Sequence, residues 1–339
     1  MAGTAPGASA TRQEGGAAPT TSQRRQIARH FVTAYPQARQ VPAVPISSGF
    51  DRSVHLIGSS ISVLKTWVPR GIPEGGALAV QPAVRTQNLK VLGDRTPFTW
   101  GGHFTNFSVV HPSGSGLGPA KNALSFFLDL CGFTPADVLV RASRAHRILF
   151  PAIDVFATKV RVEWDSRVPK YYTHTVGIPS VHGVNFNVAL RHPETGEFDD
   201  VGNYIAFTGS KEGPAVAPFT EIGFGDTTIL RAQLGLEHVL DAFAFPPPLV
   251  ADRWADRHMQ DAFLVSAVLW NEGLRPSSRD SRTKLLRKYL EVCRSIVTAA
   301  GLGRAQTRAW LHGLYEAEGF PPAHFTSLWS EHMESNLWT

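Results

Sequence analysis

A few arginines, aromatic rings and carboxylates are the residues of this chain whose types and spacing could do chemistry. Arg85 closes the run ALAVQPAVR. Arg95 and Phe98 sit in GDRTPFTW, with Trp100 at its end. Arg231 precedes the turn Gly235-Leu236-Glu237-His238. Arginine forks grip phosphate bidentately, an aromatic ring stacks on a base, and a carboxylate such as Glu237 can hold Mg²⁺. Such parts can bind a nucleotide without a phosphate-binding glycine loop. On residue types alone, however, surface arginines on strands are the plainer reading of Arg85 and Arg95.

Other chemistries fit less well. Gly114 to Asn122, GSGLGPAKN, has Ala120 before Lys121 and Asn122 after it, so it lacks the Gly-Lys-Ser/Thr ending of a P-loop. His103 and His111 lie eight residues apart, as do His174 and His182, which is not metal-ligand spacing. The two cysteines, Cys131 and Cys293, are far apart, which excludes a disulfide framework and suits a reducing cytoplasm.

Stepping from residues to elements, 339 residues with 43% hydrophobic content suffice for one large domain or two smaller ones. No apolar run reaches the ~18 residues of a membrane span. The opening MAGTAPGASATRQEGGAAPTTS is low-complexity and is expected to be disordered, over residues 1–22. The net charge is +5, and residues 251–310 alone carry 11 Lys/Arg against 6 Asp/Glu. That stretch is either a solvated helical surface or a face for phosphates or RNA.

QRRQIARHFVTAYPQ, with Ile27, Phe31 and Tyr35 four apart, predicts an amphipathic helix ended by Pro36. GPAKNALSFFLDLCGF predicts another, with Pro119 near its start and Gly132 as its stop. PFTWGGHFTNFSVV, KVRVEW, KYYTHTVGI, GVNFNVAL, NYIAFTG, FTEIGFG and TTILRA read as strands, with HPETGEF as a hairpin turn. Helical patterns take over after Gly235, and the triple proline at 246–248 marks a junction. The expected fold class is α+β, mainly antiparallel, with domains over 23–245 and 249–339.

These segments, in order, resemble the alanyl-tRNA synthetase family, of the class II aminoacyl-tRNA synthetases, piecewise over residues 24–296. RRQIARHFVTAYPQARQVPAVPISSG is similar to the family's opening helix and VPSSSL strand. HLIGSSISVLKTWV resembles LLFTNAGMxxFK, and LAVQPAVRTQNLKVLGDRTPFTW resembles motif 2. TNFSVV and AKNALSFFLDLCGF resemble GNFSFGDYFKxxAIxxAWxxLT. The most specific match sets WADRHMQDAFLVSAVLWNEGLRPSSRDSRTKLLRKYL against the start of the tRNA-recognition helices.

The resemblance implies a six-stranded antiparallel catalytic sheet with flanking helices, then a helical tRNA-recognition domain. It implies ATP and Mg²⁺ as cofactors and an amino acid, alanine or another small one, as substrate. The amino acid would be activated as an aminoacyl-adenylate and passed to tRNA or to a small-molecule acceptor. The alternatives are an enzyme using aminoacyl-tRNA as donor and a non-catalytic tRNA- or partner-binding paralogue; a homodimer is also compatible. Arg85 matches the motif 2 arginine on the α-phosphate. Arg95 and Phe98 lie near the adenine-side pair, with Trp100 as another stacking ring. Gly235-Leu236-Glu237 matches motif 3, G-L-E-R, with His238 at the arginine's place and Arg231 a substitute for it. A second register sets EIGFGDTT against motif 3; Gly235 is preferred because a helix must follow. Asn185, Asn203 and Glu221 fall in the amino-acid pocket, and Arg282, Arg287 and Lys288 on the RNA-recognition stretch.

Overall fold

Alternation along the strands decides this architecture. In the computed structural model, which describes residues 21–90, 100–210 and 216–338, β2 (Ala77–Val84), β3 (His103–Pro112), β9 (Phe219–Gly225), β8 (Phe198–Phe207), β7 (His182–Arg191) and β4 (Val138–Ala142) form, in that order, six antiparallel neighbours. A short strand pairs in parallel at each edge, β1 (Arg39–Val41) on β2 and β5 (Arg161–Trp164) on β4, and β6 (Thr173–Thr175) adds to β7. The α+β class and the six-stranded antiparallel sheet are thus as the sequence led one to expect.

Side chains of successive strand residues point to opposite faces. On one face Phe107, Val109, Ile222, Phe224, Phe186 and Val188 are fully or almost fully buried. They pack under α1 (Thr21–Ala34), α3 (Gly118–Ser125), α4 (Phe150–Ala157) and α5 (Asp226–Leu234). Aromatic pairs fill that layer: Phe31 and Phe107 at 4.9 Å, Phe127 and Phe224 at 4.8 Å, Phe156 and Phe186 at 5.4 Å between ring centroids. Truncating one such ring costs about 3–5 kcal/mol.

The opposite face is paved with polar residues. Cross-strand partners share a face, so Asn106 and Gly225 form one row, Ser108, Gly223, Asn203 and Asn187 a second, and Glu221, Ile205 and Asn185 a third. The far end of this face is closed by a smaller apolar cluster, in which Leu64 of α2 (Ile61–Leu64), Val68, Val176 and Val181 lie against Ala77, Ala79 and Val110.

The C-terminal helices α6 (Arg253–Asn271), α7 (Ser281–Ala299), α8 (Arg304–Glu318), α9 (Pro322–Leu328) and α10 (Glu334–Asn336) share one continuous hydrophobic cluster with the sheet's inner face. Three of their carboxylates accept backbone N–H groups from residues before the triple proline. Asp261 takes that of Gly102, Glu272 those of Ile46 and Ser47, and Glu318 that of Ala244. Glu318 also pairs with Arg24 of α1.

Two local expectations differ from the structure. TTILRA is the body of α5, not a strand. Its Thr-Thr-Ile run favours a strand by propensity, but tertiary burial overrides it. Asp226, Ile229 and Leu230 are buried at helical spacing, and Asp226 Oδ1 accepts from the Thr227 and Thr105 N–H groups at 2.8 Å. The helix expected after Gly235 instead ends there. Gly235 adopts the left-handed conformation (φ 64°) that terminates α5. Only a short 3-10 turn, Val239–Ala242, follows.

Candidate active site

A cavity of about 890 Å³ opens on the polar face of the sheet. Strands β2, β3, β7, β8 and β9 form its floor, and the segments around His55 and Tyr171, the first turn of α5 and Leu285 of α7 form its walls. Arg85, Trp100, Asn185, Asn203 and Glu221 all line it, although they come from four separate stretches of sequence. Arg95 and Phe98 lie outside the described residues.

Arg85 follows the last residue of β2. Its N–H donates to the Gly102 carbonyl at 2.7 Å, which ties the two ends of the intervening segment together. Its guanidinium lies 4.8 Å from the Trp100 ring centroid and 4.8 Å from that of Phe104. Burial alone pushes its pKa down to about 10, and no carboxylate among the described residues neutralises it. A half-buried cation held between rings at a cavity wall, with no counter-charge among the described residues, has the chemistry to receive an anion.

Glu221 is the acidic counterpart. It is 6% exposed on β9, and burial pushes its carboxyl up to about 7, with a hydrogen bond from Ser108 pulling the other way. Ser108 in turn contacts the Ser60 hydroxyl, which donates to Asn106 Oδ1, and Asn106 Nδ2 donates to the Phe224 carbonyl at 2.8 Å. Gly223, between these side chains, leaves the floor open. A Cβ there would meet Ser108 Oγ at 2.5 Å and Glu221 Oε1 at 3.5 Å.

At the other end of the floor, Arg141 Nη1 donates to Asp200 Oδ1 at 2.8 Å, and Asn187 Nδ2 donates to Asp200 Oδ2 at 2.7 Å. Asn185 Nδ2 donates to Asn187 Oδ1. His174 stands beside Asn185, and burial lowers its pKa. This asparagine chain was legible only in part: GVNFNVAL read as a strand and the resemblance put Asn185 in the pocket, but Asn187 was not singled out. Nothing in the sequence pointed to Arg141, Asp200 or Asp261.

The motif 3 expectations are placed elsewhere. Glu237 pairs with Arg253, and Arg231 pairs with Asp199; none of Arg231, Glu237 and His238 lines the cavity. His238 caps the 3-10 turn, its Nδ1 accepting from the Leu240 N–H at 3.2 Å and its own N–H donating to Asp241 Oδ2 at 2.9 Å. The strand-then-helix form sought at Gly235 occurs at β9–α5, where Gly225, Thr227 and Thr228 reach the cavity. That is the second register, EIGFGDTT.

Of the basic trio on α7, Arg282 Nη1 donates to the Ser47 carbonyl at 2.7 Å and Arg287 pairs with Glu291 at 3.2 Å. Lys288 is exposed. His103 and His111 of β3 are held neutral by burial, each pushed down to about 4. Both cysteines are free and buried. Among the described residues no helix is long and apolar enough to cross a membrane.

No protein-family model matches the chain, and no curated protein matches it. Solved structures similar to it include histidyl-tRNA synthetase from S. aureus without ligand, at 10% identity and a TM-score of 0.42, covering 84% of this chain and 89% of that one. Asparaginyl-tRNA synthetase from Entamoeba histolytica in complex with asparaginyl-adenylate matches at 11% identity and a TM-score of 0.37, over 65% of this chain and 64% of that one. The enzyme of the same name from Pyrococcus horikoshii matches at 12% identity and a TM-score of 0.37, over 67% of this chain and 68% of its own. The chain therefore spans under two thirds of the Entamoeba protein.

Proposed function

We propose that this chain is a synthetase-like enzyme that activates an amino acid with ATP as an aminoacyl-adenylate and passes it to a small-molecule acceptor. The observation that carries this reading is Arg85, a cation with no counter-charge among the described residues, at one wall of a cavity whose floor also holds Glu221, an acid with no cation paired to it among the described residues. Those two charges match the two ends of the reaction. Arg85 would hold the α-phosphate, and Glu221 the α-ammonium of the amino acid. The alanyl-tRNA synthetase-like order of segments adds to this, since Arg85 stands at the motif 2 arginine in that comparison.

ATP suits the residues present. Arg85 offers a fork to the α-phosphate, and Trp100, 44% exposed beside it, offers a ring face to the base. Mg²⁺ has weaker support from the protein. Of the two acids on the cavity wall, Asp200 is paired with Arg141 and Glu221 is held up to about 7. Glu237 is engaged by Arg253. A magnesium ion would therefore be held by the phosphates and water.

In the activation step a carboxylate oxygen of the amino acid bonds to the α-phosphorus, and the bond to the pyrophosphate oxygen breaks. Negative charge builds on the α-phosphate oxygens, and a fixed guanidinium stabilises that change most where water is excluded. Glu221 and the asparagine floor position the nucleophile, which is worth as much as charge neutralisation in such reactions. The acceptor's hydroxyl or amine then attacks the activated carbonyl and releases AMP. A small acceptor is preferred to tRNA because two of the three cations expected to meet RNA are engaged within the chain, Arg282 by the Ser47 carbonyl and Arg287 by Glu291.

Amino-acid-dependent exchange of pyrophosphate into ATP tests this reading. A panel of the twenty standard amino acids and common non-standard ones is expected to give a signal. Folded protein with no exchange at any of them would overturn the adenylation reading.

A further inference from the structure

We infer that the amino acid taken by this cavity has an extended side chain ending in a hydrogen-bond donor, such as a carboxamide, ammonium or guanidinium, and is not alanine. The inference rests on reading the cavity as the amino-acid site. Its starting point is a buried acceptor open to a ligand: Asn185 is 1% exposed and lines the cavity, and its Oδ1, with His174 beside it, makes no hydrogen bond of good geometry and keeps a lone pair for a further donor.

The direction of that oxygen is imposed from three residues away. A carboxylate only accepts. Asp200, paired with Arg141, therefore compels Asn187 to present its NH₂ group. Asn187 then has its oxygen toward Asn185, which must answer with its own NH₂. A flip of the Asn185 carboxamide would set oxygen against oxygen. The relay thus turns Asn185 Oδ1 away from Asn187 and toward His174 and the cavity, where a ligand donor would satisfy an acceptor that His174 alone serves poorly.

Spacing sets the length of the ligand. Asn185, Ile205 and Glu221 are directly opposite one another on three adjacent strands. Neighbouring strands lie about 4.8 Å apart, so the two polar ends are separated by roughly 10 Å, with the Ile205 side chain between them. An α-ammonium at Glu221, methylenes over Ile205 and a donor at Asn185 describe an amino acid of the size of glutamine, ornithine, lysine or arginine. Alanine would reach Glu221 and leave Asn185 bare. A site built around a hydrogen bond rejects analogues lacking the donor far more strongly than an apolar pocket rejects a missing methylene.

Two measurements on the full-length chain test this. Calorimetric binding of free amino acids, without ATP, is compared for donor-ended side chains and their apolar analogues, glutamine and lysine against methionine and norleucine, with alanine included. Pyrophosphate exchange is run on the same set. Donor-ended amino acids are expected to bind at least tenfold more tightly. Asn185→Leu should collapse that preference. Binding with this preference but no exchange would uphold the substrate class and overturn adenylation. A preference for alanine or norleucine, or no amino acid bound, would overturn the inference, the former with adenylation intact if exchange follows it.

Discussion

Gly102 donates its backbone N–H to Oδ1 of Asp261 at 2.5 Å, across 159 positions of sequence. The same glycine accepts from Arg85 through its carbonyl. The buried acid of α6 is therefore one bond removed from the arginine at the cavity wall, and it holds in place the segment that carries Trp100. Asp261→Ala removes the acceptor and leaves a buried N–H unpaired, which costs about 1–3 kcal/mol. Denaturant unfolding should show that loss. Exchange activity should fall with a raised KM for ATP, because Trp100 and Arg85 lose their fixed relation.

Arg85→Ala should lower pyrophosphate exchange by about 100-fold or more, the range seen when one donor to a developing oxyanion is removed. Arg85→Lys should recover little of this, since an ammonium keeps the charge but not the planar fork or the ring contacts. Full activity in the alanine variant would show that the α-phosphate is held elsewhere.

Glu221 gives a pH signature. Its carboxyl is raised by burial from the ordinary carboxylate range to about 7, and it binds an ammonium only when ionised. Amino-acid affinity should rise about tenfold per pH unit below 7 and level off above it. Glu221→Gln should flatten the profile. The stability of the ligand-free protein should move the opposite way. Glu221, together with Asp261 raised to about 6, holds its proton more tightly when folded, so their contribution is present in full below the unfolded values and declines as pH climbs from about 4.5 to 7. Thermal unfolding between pH 5 and 8 measures it.

His238→Ala should leave exchange with ATP unchanged and cost about 1 kcal/mol of stability, the worth of a cap. The cavity does not include His238, and its imidazole serves the Leu240 N–H. A tenfold loss of exchange in this variant would restore the motif 3 comparison at Gly235.

Reversing charge at the exposed positions, Arg287→Glu with Lys288→Glu, should leave exchange unaltered. Filter binding of tRNA should be no weaker than for the unaltered chain if the acceptor is a small molecule. A large loss of tRNA affinity would move the acceptor to RNA.

The strands and long helices were legible because their patterns are dictated by burial on one side. VNFNV and FTEIGFG were legible as strands, while Asn185 and Glu221 were placed in the pocket only through the family resemblance. Arg85 was legible from its place at a strand end. The turn at Gly235 was not, because a glycine in the left-handed conformation ends a helix as readily as it precedes one, and the β-branched start of α5 hid the helix before it. Arg141, Asp200 and Asp261 escaped notice for a different reason. Their importance lies in what they hold across the fold, and a buried charge on a strand or in an apolar helix has no local pattern to reveal it.

The three carboxylates Asp261, Glu272 and Glu318 also impose an order on synthesis. Each accepts N–H groups from residues that leave the ribosome well before it does. Nearly every wall of the cavity is made by residue 228, yet Gly102, Ile46 and Ser47 have no acceptor until α6 emerges. A nascent chain stopped at the triple proline would carry the arginine, the acid and the asparagine relay, with the Gly102 N–H beside Trp100 still without the Asp261 carboxylate. The last backbone tethers around the cavity thus arrive with the final quarter of the chain, which contributes almost nothing to the cavity's lining.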